Sequence, residues 1–184
     1  MTLIILDRDG VINEDSDDYI KSVNEWRPLP GSIDAIARLS KAGYTVAVAT
    51  NQSGISRGYF DEVELALMHQ KMCDLVEESG GHIAGVFYCP HGPEDGCHCR
   101  KPKTGLLEQI ACEFGVSVEG CPFIGDSAKD LLCAKVAGCL PVLVKTGKGS
   151  ATIAESSADE LDGVRVVEDL AAYVDAILGS DSPQ

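Results

Sequence analysis

The stretch Leu3-Ile4-Ile5-Leu6-Asp7-Arg8-Asp9-Gly10 reads as a fully buried strand that ends on a polar turn. Four consecutive apolar residues leave neither face for water, as expected of a central strand in a parallel sheet. Two carboxylates then follow, one residue apart, and Gly10 allows the chain to turn sharply. Two carboxylates this close repel one another as bare anions, so they call for a cation, a proton or both.

Outward from this stretch, β-rich runs alternate with helical ones. Residues 32–42 carry Ile33, Ile36, Ala37 and Leu39 at helical spacing, with Ser32 as the expected cap and Gly43 as the stop. A strand over 44–49 runs into Thr50-Asn51-Gln52-Ser53-Gly54. Asp61 and Glu64 form a capping box for a long helix that ends near Ser79, at Gly80-Gly81. Strands are predicted over 83–88, 122–124, 141–144 and 164–167, and helices over 106–114, 131–137 and 170–178. This alternation predicts an α/β fold with a doubly wound, Rossmann-like parallel sheet in one domain over 1–179. Residues 147–163 are the most polar and least periodic, and 180–184 are expected to fray. The chain encodes no large cap domain, and the only insertion with its own chemistry spans 89–103.

The 184 residues include 15 Lys plus Arg and 29 Asp plus Glu, a formal charge of −14. That balance excludes a nucleic-acid or anionic-membrane partner, both of which need a basic face. Half of the excess lies in 150–184, which hold eight acids against Arg165 alone, and so it leaves room for a small phosphorylated ligand elsewhere. No signal-type apolar run and no 18-residue apolar stretch occurs, so a cytoplasmic protein is expected. In a reducing compartment the eight cysteines read as thiols or metal ligands. Cys73, Cys112, Cys121, Cys133 and Cys139 sit among apolar neighbours and read as small buried hydrophobes. His69 and His82 read as surface or helix-end histidines, and Trp26 as packing for a loop.

In an open parallel sheet, ligands bind beyond the carboxyl ends of the strands. The polar residues gather there: Asp7 and Asp9 after one strand, Thr50 to Ser53 after another, and Asp126 after a third. Three carboxylates make an oxygen-rich site suited to Mg²⁺. One carboxylate can attack phosphorus while another handles protons, with Thr50 and Lys101 offering a hydroxyl and a cation to the transferring group. Cys89, His91, Cys97 and Cys99 form C-x-H-x5-C-x-C, a Cys3His set that fills a tetrahedral structural Zn²⁺ site. His98, between two of them, is an alternative ligand. A zinc there would pin the loop carrying Arg100 and Lys101 without activating water.

Four ordered runs, Asp7-Arg8-Asp9-Gly10-Val11-Ile12, Thr50-Asn51-Gln52-Ser53-Gly54, Arg100-Lys101-Pro102-Lys103 and Gly125-Asp126-Ser127-Ala128-Lys129-Asp130, resemble the motifs of haloacid-dehalogenase-type phosphatases. The resemblance covers about 3–149 and extends to a zinc-loop subgroup whose members act on heptose 1,7-bisphosphate or on histidinol phosphate. The runs over 50–60 and 142–148 are more similar to the heptose-specific members. The resemblance implies that Asp7 is the nucleophile and that Asp9 protonates the leaving oxygen and then deprotonates water. It places Mg²⁺ on Asp7, the Asp9 backbone carbonyl and Asp126, and the phosphoryl oxygens on Thr50 and Lys101. Substrate contacts are implied for Asp15, Tyr19, Asn51, Gln52, Ser53, Arg57 and Arg100. Asp130 is left between a supporting role and a plain helix-face carboxylate.

The implied reaction is removal of the 7-phosphate from D-glycero-D-manno-heptose 1,7-bisphosphate, in the supply of activated heptose for lipopolysaccharide, by a monomer. Two alternatives stay open from the residues: the same chemistry on histidinol phosphate, and a catalytically silent, zinc-stabilised binding module.

Overall fold

A computed structural model describes residues 2–179, so the expected fraying of 180–184 lies outside the described residues. Six strands form one sheet: β1 (Thr2–Leu6), β2 (Tyr44–Asn51), β3 (Gly85–Cys89), β4 (Pro122–Gly125), β5 (Leu140–Val144) and β6 (Arg165–Val167). Their order is β3-β2-β1-β4-β5-β6, and every pairing is parallel. The order reverses direction between β1 and β4, which opens a crevice beyond their carboxyl ends.

Among the described residues seven α-helices cover the sheet: α1 (Ser32–Lys41), α2 (Glu62–Glu78), α3 (Gly105–Phe114), α4 (Ala128–Val136), α5 (Gly149–Glu155), α6 (Ala158–Leu161) and α7 (Leu170–Leu178). The alternation of side chains along β1 sorts the core into two layers. Ile4 and Leu6 join Ile36, Leu39, Met68, Met72 and Val174 from α1, α2 and α7. Leu3 and Ile5 join Leu106, Ile110, Cys133 and Ala134 from α3 and α4. β1 is apolar on consecutive positions because both layers press on it.

Three helix starts differ from the expectation: α4 begins at Ala128 rather than 131, behind a capping box of Ser127 and Asp130, and α1 and α2 differ in their caps. Gly31, with φ 79°, occupies the cap position of α1, while the Ser32 hydroxyl donates to the carbonyls of Ile12 and Leu29. Asp61 caps α2 by accepting from the Glu64 amide, but the Glu64 carboxylate accepts from the Val23 amide across the fold, so the box is half made. The polar stretch 147–163, expected to be aperiodic, contains the short helices α5 and α6. Cys133 and Cys139 are buried as expected, but Cys112 is exposed on α3. Trp26 is fully buried, with the Lys71 ammonium 5.7 Å from its ring centroid.

Candidate active site

The carboxyl ends of β1, β2 and β4 and the loop after β3 converge on a cleft of about 660 Å³. Asp7 leaves β1 at the point where the strand order reverses, and its amide donates to the Ile124 carbonyl of β4 at 2.9 Å. Asp126 leaves β4 next to it. Gly10 and Gly147, both at positive φ, let two loops close over Asp126. A Cβ at either glycine would run into the Asp126 carboxylate. The Lys148 amide donates to Asp126 Oδ2 at 2.8 Å, and the Thr152 hydroxyl donates to the Asp126 carbonyl at 2.9 Å.

Lys101 is buried among these acids, with Nζ 2.9 Å from Asp7 Oδ1, 2.7 Å from Asp130 Oδ1 and 2.8 Å from the Ala49 carbonyl. Its backbone is fixed by Asn51, which accepts from the Lys101 amide and donates to the Lys101 carbonyl, both at 3.0 Å. Asp130 has a definite place: its second oxygen accepts from the amides of Asp126 and Ser127 and from the Ser127 hydroxyl. It therefore completes the Ser127 capping box of α4 and pairs with Lys101 at once, and, buried as it is, it is not a plain helix-face carboxylate.

These charges do not balance. Burial raises the Asp7 carboxyl well above its ordinary range, and Asp130 and Asp126 add to the rise while Lys101 opposes it. Burial and the Asp130 charge likewise push Asp126 to about 7. Asp130 is held low because Lys101 and its hydrogen bonds together outweigh its burial. One ammonium thus faces three carboxylates, and oxygens of Asp7, Asp126 and Asp130 lie within 4.8 Å of one another. With both Asp130 oxygens already engaged, Asp7 and Asp126 are the pair left to take a hard divalent cation.

Asp9 is arranged differently. Its Oδ1 accepts from Arg8 Nε at 3.1 Å, Arg8 Nη2 at 2.8 Å and Asn13 Nδ2 at 2.8 Å, and its Oδ2 accepts from Gln52 Nε2 at 2.9 Å. Burial pushes this carboxyl up, but the Arg8 charge and these donors together hold it below its ordinary value. Gln52 also donates to Thr50 Oγ1 at 2.8 Å and accepts from Arg8. The amides of Asn51 and Gln52, expected to touch substrate, are thus engaged in holding Lys101, Thr50 and Asp9.

Asp15, Tyr19, Asn51, Gln52, Ser53, Arg57 and Arg100 all line the cleft. Tyr19 is the one non-glycine residue at positive φ among the described residues, and its ring lies against Tyr59 and under the Arg57 guanidinium. Lys129 and Lys148, not among the residues expected at the site, add positive charge to the same cleft. Burial and the neighbouring Arg100 and Lys148 charges lower the Lys129 ammonium, and Asp15 and Asp126 hold Lys148 protonated against its partial burial. The signal for Lys148 lay in the 142–148 run.

The Cys/His loop closes on itself. Cys89 Sγ lies 3.6 Å from Cys97 Sγ and 3.5 Å from His91 Nδ1, which is 3.4 Å from Cys99 Sγ. A tetrahedron with zinc–sulfur bonds of about 2.3 Å and zinc–nitrogen bonds of about 2.0 Å has edges of about 3.5 to 3.8 Å. The four side chains fit that metal. His98 points away and pairs with Glu108 at 2.9 Å, so it is not in the set.

A HAD-hydrolase-like family model matches residues 98–173. The chain is 56% identical over 96% of its length to the D-glycero-beta-D-manno-heptose-1,7-bisphosphate 7-phosphatase of Pseudomonas aeruginosa, covering 98% of it. Identity to the enzyme of that name from Bordetella bronchiseptica is 52%, over 97% of this chain and 98% of the relative. A crystal structure of D,D-heptose 1,7-bisphosphate phosphatase from B. bronchiseptica, complexed with magnesium and phosphate, superposes with a TM-score of 0.94 at 50% identity, covering 98% of this chain and 99% of that one. The chain belongs to the D-glycero-beta-D-manno-heptose-1,7-bisphosphate 7-phosphatase family of haloacid-dehalogenase-like hydrolases.

Proposed function

We propose that this protein is a phosphomonoesterase that removes the C7 phosphate of D-glycero-β-D-manno-heptose 1,7-bisphosphate through an aspartyl phosphate. The observation that carries the proposal is the meeting of Asp7, Lys101 and Asp126 at the β1/β4 crevice, in the family whose relatives bear that name. Asp7 is placed to attack phosphorus, since Lys101 and the Arg8 amide, at 2.7 Å, fix its Oδ1. The Thr50 hydroxyl and the Lys101 ammonium would hold the phosphoryl oxygens as charge builds on them. Asp9, an anion in the open cleft, would first take up a proton from solvent, give it to the departing sugar oxygen and then take one from the water that hydrolyses the aspartyl phosphate. Asp7 and Asp126, with the Asp9 backbone carbonyl, would hold Mg²⁺, which supplies the positive charge that the buried carboxylates lack.

Arg57, Arg100, Lys129 and Lys148 surround the cleft with positive charge, which suits a substrate with two phosphates better than histidinol phosphate. Zinc on Cys89, His91, Cys97 and Cys99 would tie down the loop that presents Arg100 and Lys101. The chain over 1–179 would act as one domain, as a cytoplasmic monomer in the making of activated heptose for lipopolysaccharide. The deciding experiment measures phosphate release from the β and α anomers of the bisphosphate and from histidinol phosphate, with Mg²⁺. A kcat/KM highest on the β anomer supports the proposal, and preference for histidinol phosphate refutes it. Absence of turnover on all three revives the silent binding module.

A further inference from the structure

His69 lies in the middle of α2, far in sequence from every motif of the site and not on the open surface expected of it. Its Nε2 sits 3.3 Å from Nη1 of Arg8, the residue between the two aspartates. Arg8 is fully buried, and its guanidinium has no lone pair to offer, so His69 must meet it as a neutral acceptor with the proton on Nδ1. Burial and the Arg8 charge agree with this, lowering the imidazolium to about 3. The ring also packs beside Tyr88, with centroids 6.0 Å apart.

Nε and Nη2 of Arg8 are committed to Asp9 Oδ1 and Gln52. With Asn13, they give Oδ1 three donors, whereas Oδ2 has only the Gln52 amide. A carboxylate oxygen with three donors is a poor proton carrier, because a proton there would displace one of them. Oδ2 is therefore the oxygen able to exchange a proton across the cleft.

We propose that His69 is a positioning residue for leaving-group protonation: as acceptor for Arg8 Nη1 it fixes the guanidinium that orients Asp9, leaving Oδ2 as the proton-carrying oxygen. This rests on the reading of Asp9 as acid and base given above. Without the acceptor, a buried Arg8 donor is orphaned, and the guanidinium has reason to turn away from Asp9.

The test compares His69→Phe, which keeps a ring beside Tyr88 but has no lone pair, with His69→Gln, whose Oε1 can accept at the position of Nε2. His69→Leu is the second acceptor-free variant should the Phe variant fail to fold, and Asp9→Asn serves as the reference. First-turnover release of the leaving group is measured with enzyme in excess on heptose 1,7-bisphosphate and on p-nitrophenyl phosphate. A nitrophenolate departs without help, but a sugar alkoxide needs its proton.

The acceptor-free variant should slow the sugar substrate at least tenfold, with the half-saturating enzyme concentration unchanged within about twofold and the aryl phosphate much less affected; general acid–base assistance amounts to about 10² to 10⁴ in rate. His69→Gln should recover most of the loss. Equal slowing on both substrates, no slowing on either, or failure of His69→Gln to recover would overturn the proposal. If Asp9→Asn itself shows no dependence on the leaving group, the acid–base reading of Asp9 fails and takes this one with it. If Asp9→Asn shows it and His69→Phe does not, only the role of His69 is refuted.

Discussion

Replacing Lys101 by Met tests how the buried charges depend on one another. Methionine keeps most of the side-chain length but removes the ammonium that lies 2.9 Å from Asp7 and 2.7 Å from Asp130. Lys101 and Asp130 are 2% and 3% exposed in their side chains and Asp7 is 11%, so water cannot take over. Removing one partner of a buried ion pair costs about 3–5 kcal/mol, since the remaining charge is left uncompensated. Here two carboxylates lose their cation, and the Ala49 carbonyl loses its donor. The upper half of that range is expected in metal-free protein, and at about 2–4 °C per kcal/mol for a chain of this size it is a fall of roughly 8–20 °C in Tm. Urea unfolding at neutral pH should show the midpoint falling with an unchanged slope, and phosphate release should be lost. Mg²⁺ should recover part of the stability and none of the turnover, because the cation offsets Asp7 but cannot stand where the ammonium meets the phosphoryl group. A metal-free midpoint within 1 kcal/mol of the parent would refute the charge argument.

Gly147→Ala should weaken Mg²⁺ binding, because the new Cβ meets the Asp126 carboxylate at a backbone φ of 56°. Titrating activity with Mg²⁺ checks this, and an unchanged half-saturation point would count against Asp126 as a ligand. Chelation of the metal at Cys89, His91, Cys97 and Cys99, or Cys97→Ser, should lower both Tm and kcat, since the loop carries Arg100 and Lys101; atomic absorption should find one zinc per chain in the parent protein and less in the variant. His69 ties stability to pH. Its folded pKa, about 3, lies below the ordinary 6.5, so the unfolded chain binds the extra proton between these values and stability declines as pH falls through that window. From pH 6.5 to 4.5 the loss from this group is about 2 kcal/mol, and His69→Gln should remove it from urea midpoints taken across that range.

The strand ends were legible because local signals agreed there. An apolar run stopping on acids, with a glycine behind it, leaves few readings for Leu3 to Gly10, and C-x-H-x5-C-x-C leaves few for the loop. What escaped was every role set by distant packing. Nothing near Asp130 in sequence announces that a lysine 29 positions earlier is its counter-ion. Nor does anything near His69 point to Arg8, because α2 has a weak apolar stripe and its polar residues look alike until the helix is docked. Ser32 misled for a related reason: its hydroxyl suits a cap, but Gly31 reaches the left-handed conformation more easily and leaves Ser32 free to bond the loop beneath. Asn51 and Gln52 line the cleft as their motif suggests; that their amides also hold the backbone of Lys101 and the side chain of Asp9 follows only from three dimensions.

The reversal of strand order between β1 and β4 bears on how the protein acquires its activity as it folds. The chain through β3 carries Asp7, Asp9 and Thr50, but not Lys101, Asp126 or Asp130. Asp7 meets the first of these only across 94 positions and the second across 119, contacts of the kind whose closure slows folding most. A nascent or half-folded chain therefore holds Asp7 with no charge to aim it. Regain of turnover on refolding should trail regain of helix and strand, and so report the final docking of the two halves of the sheet.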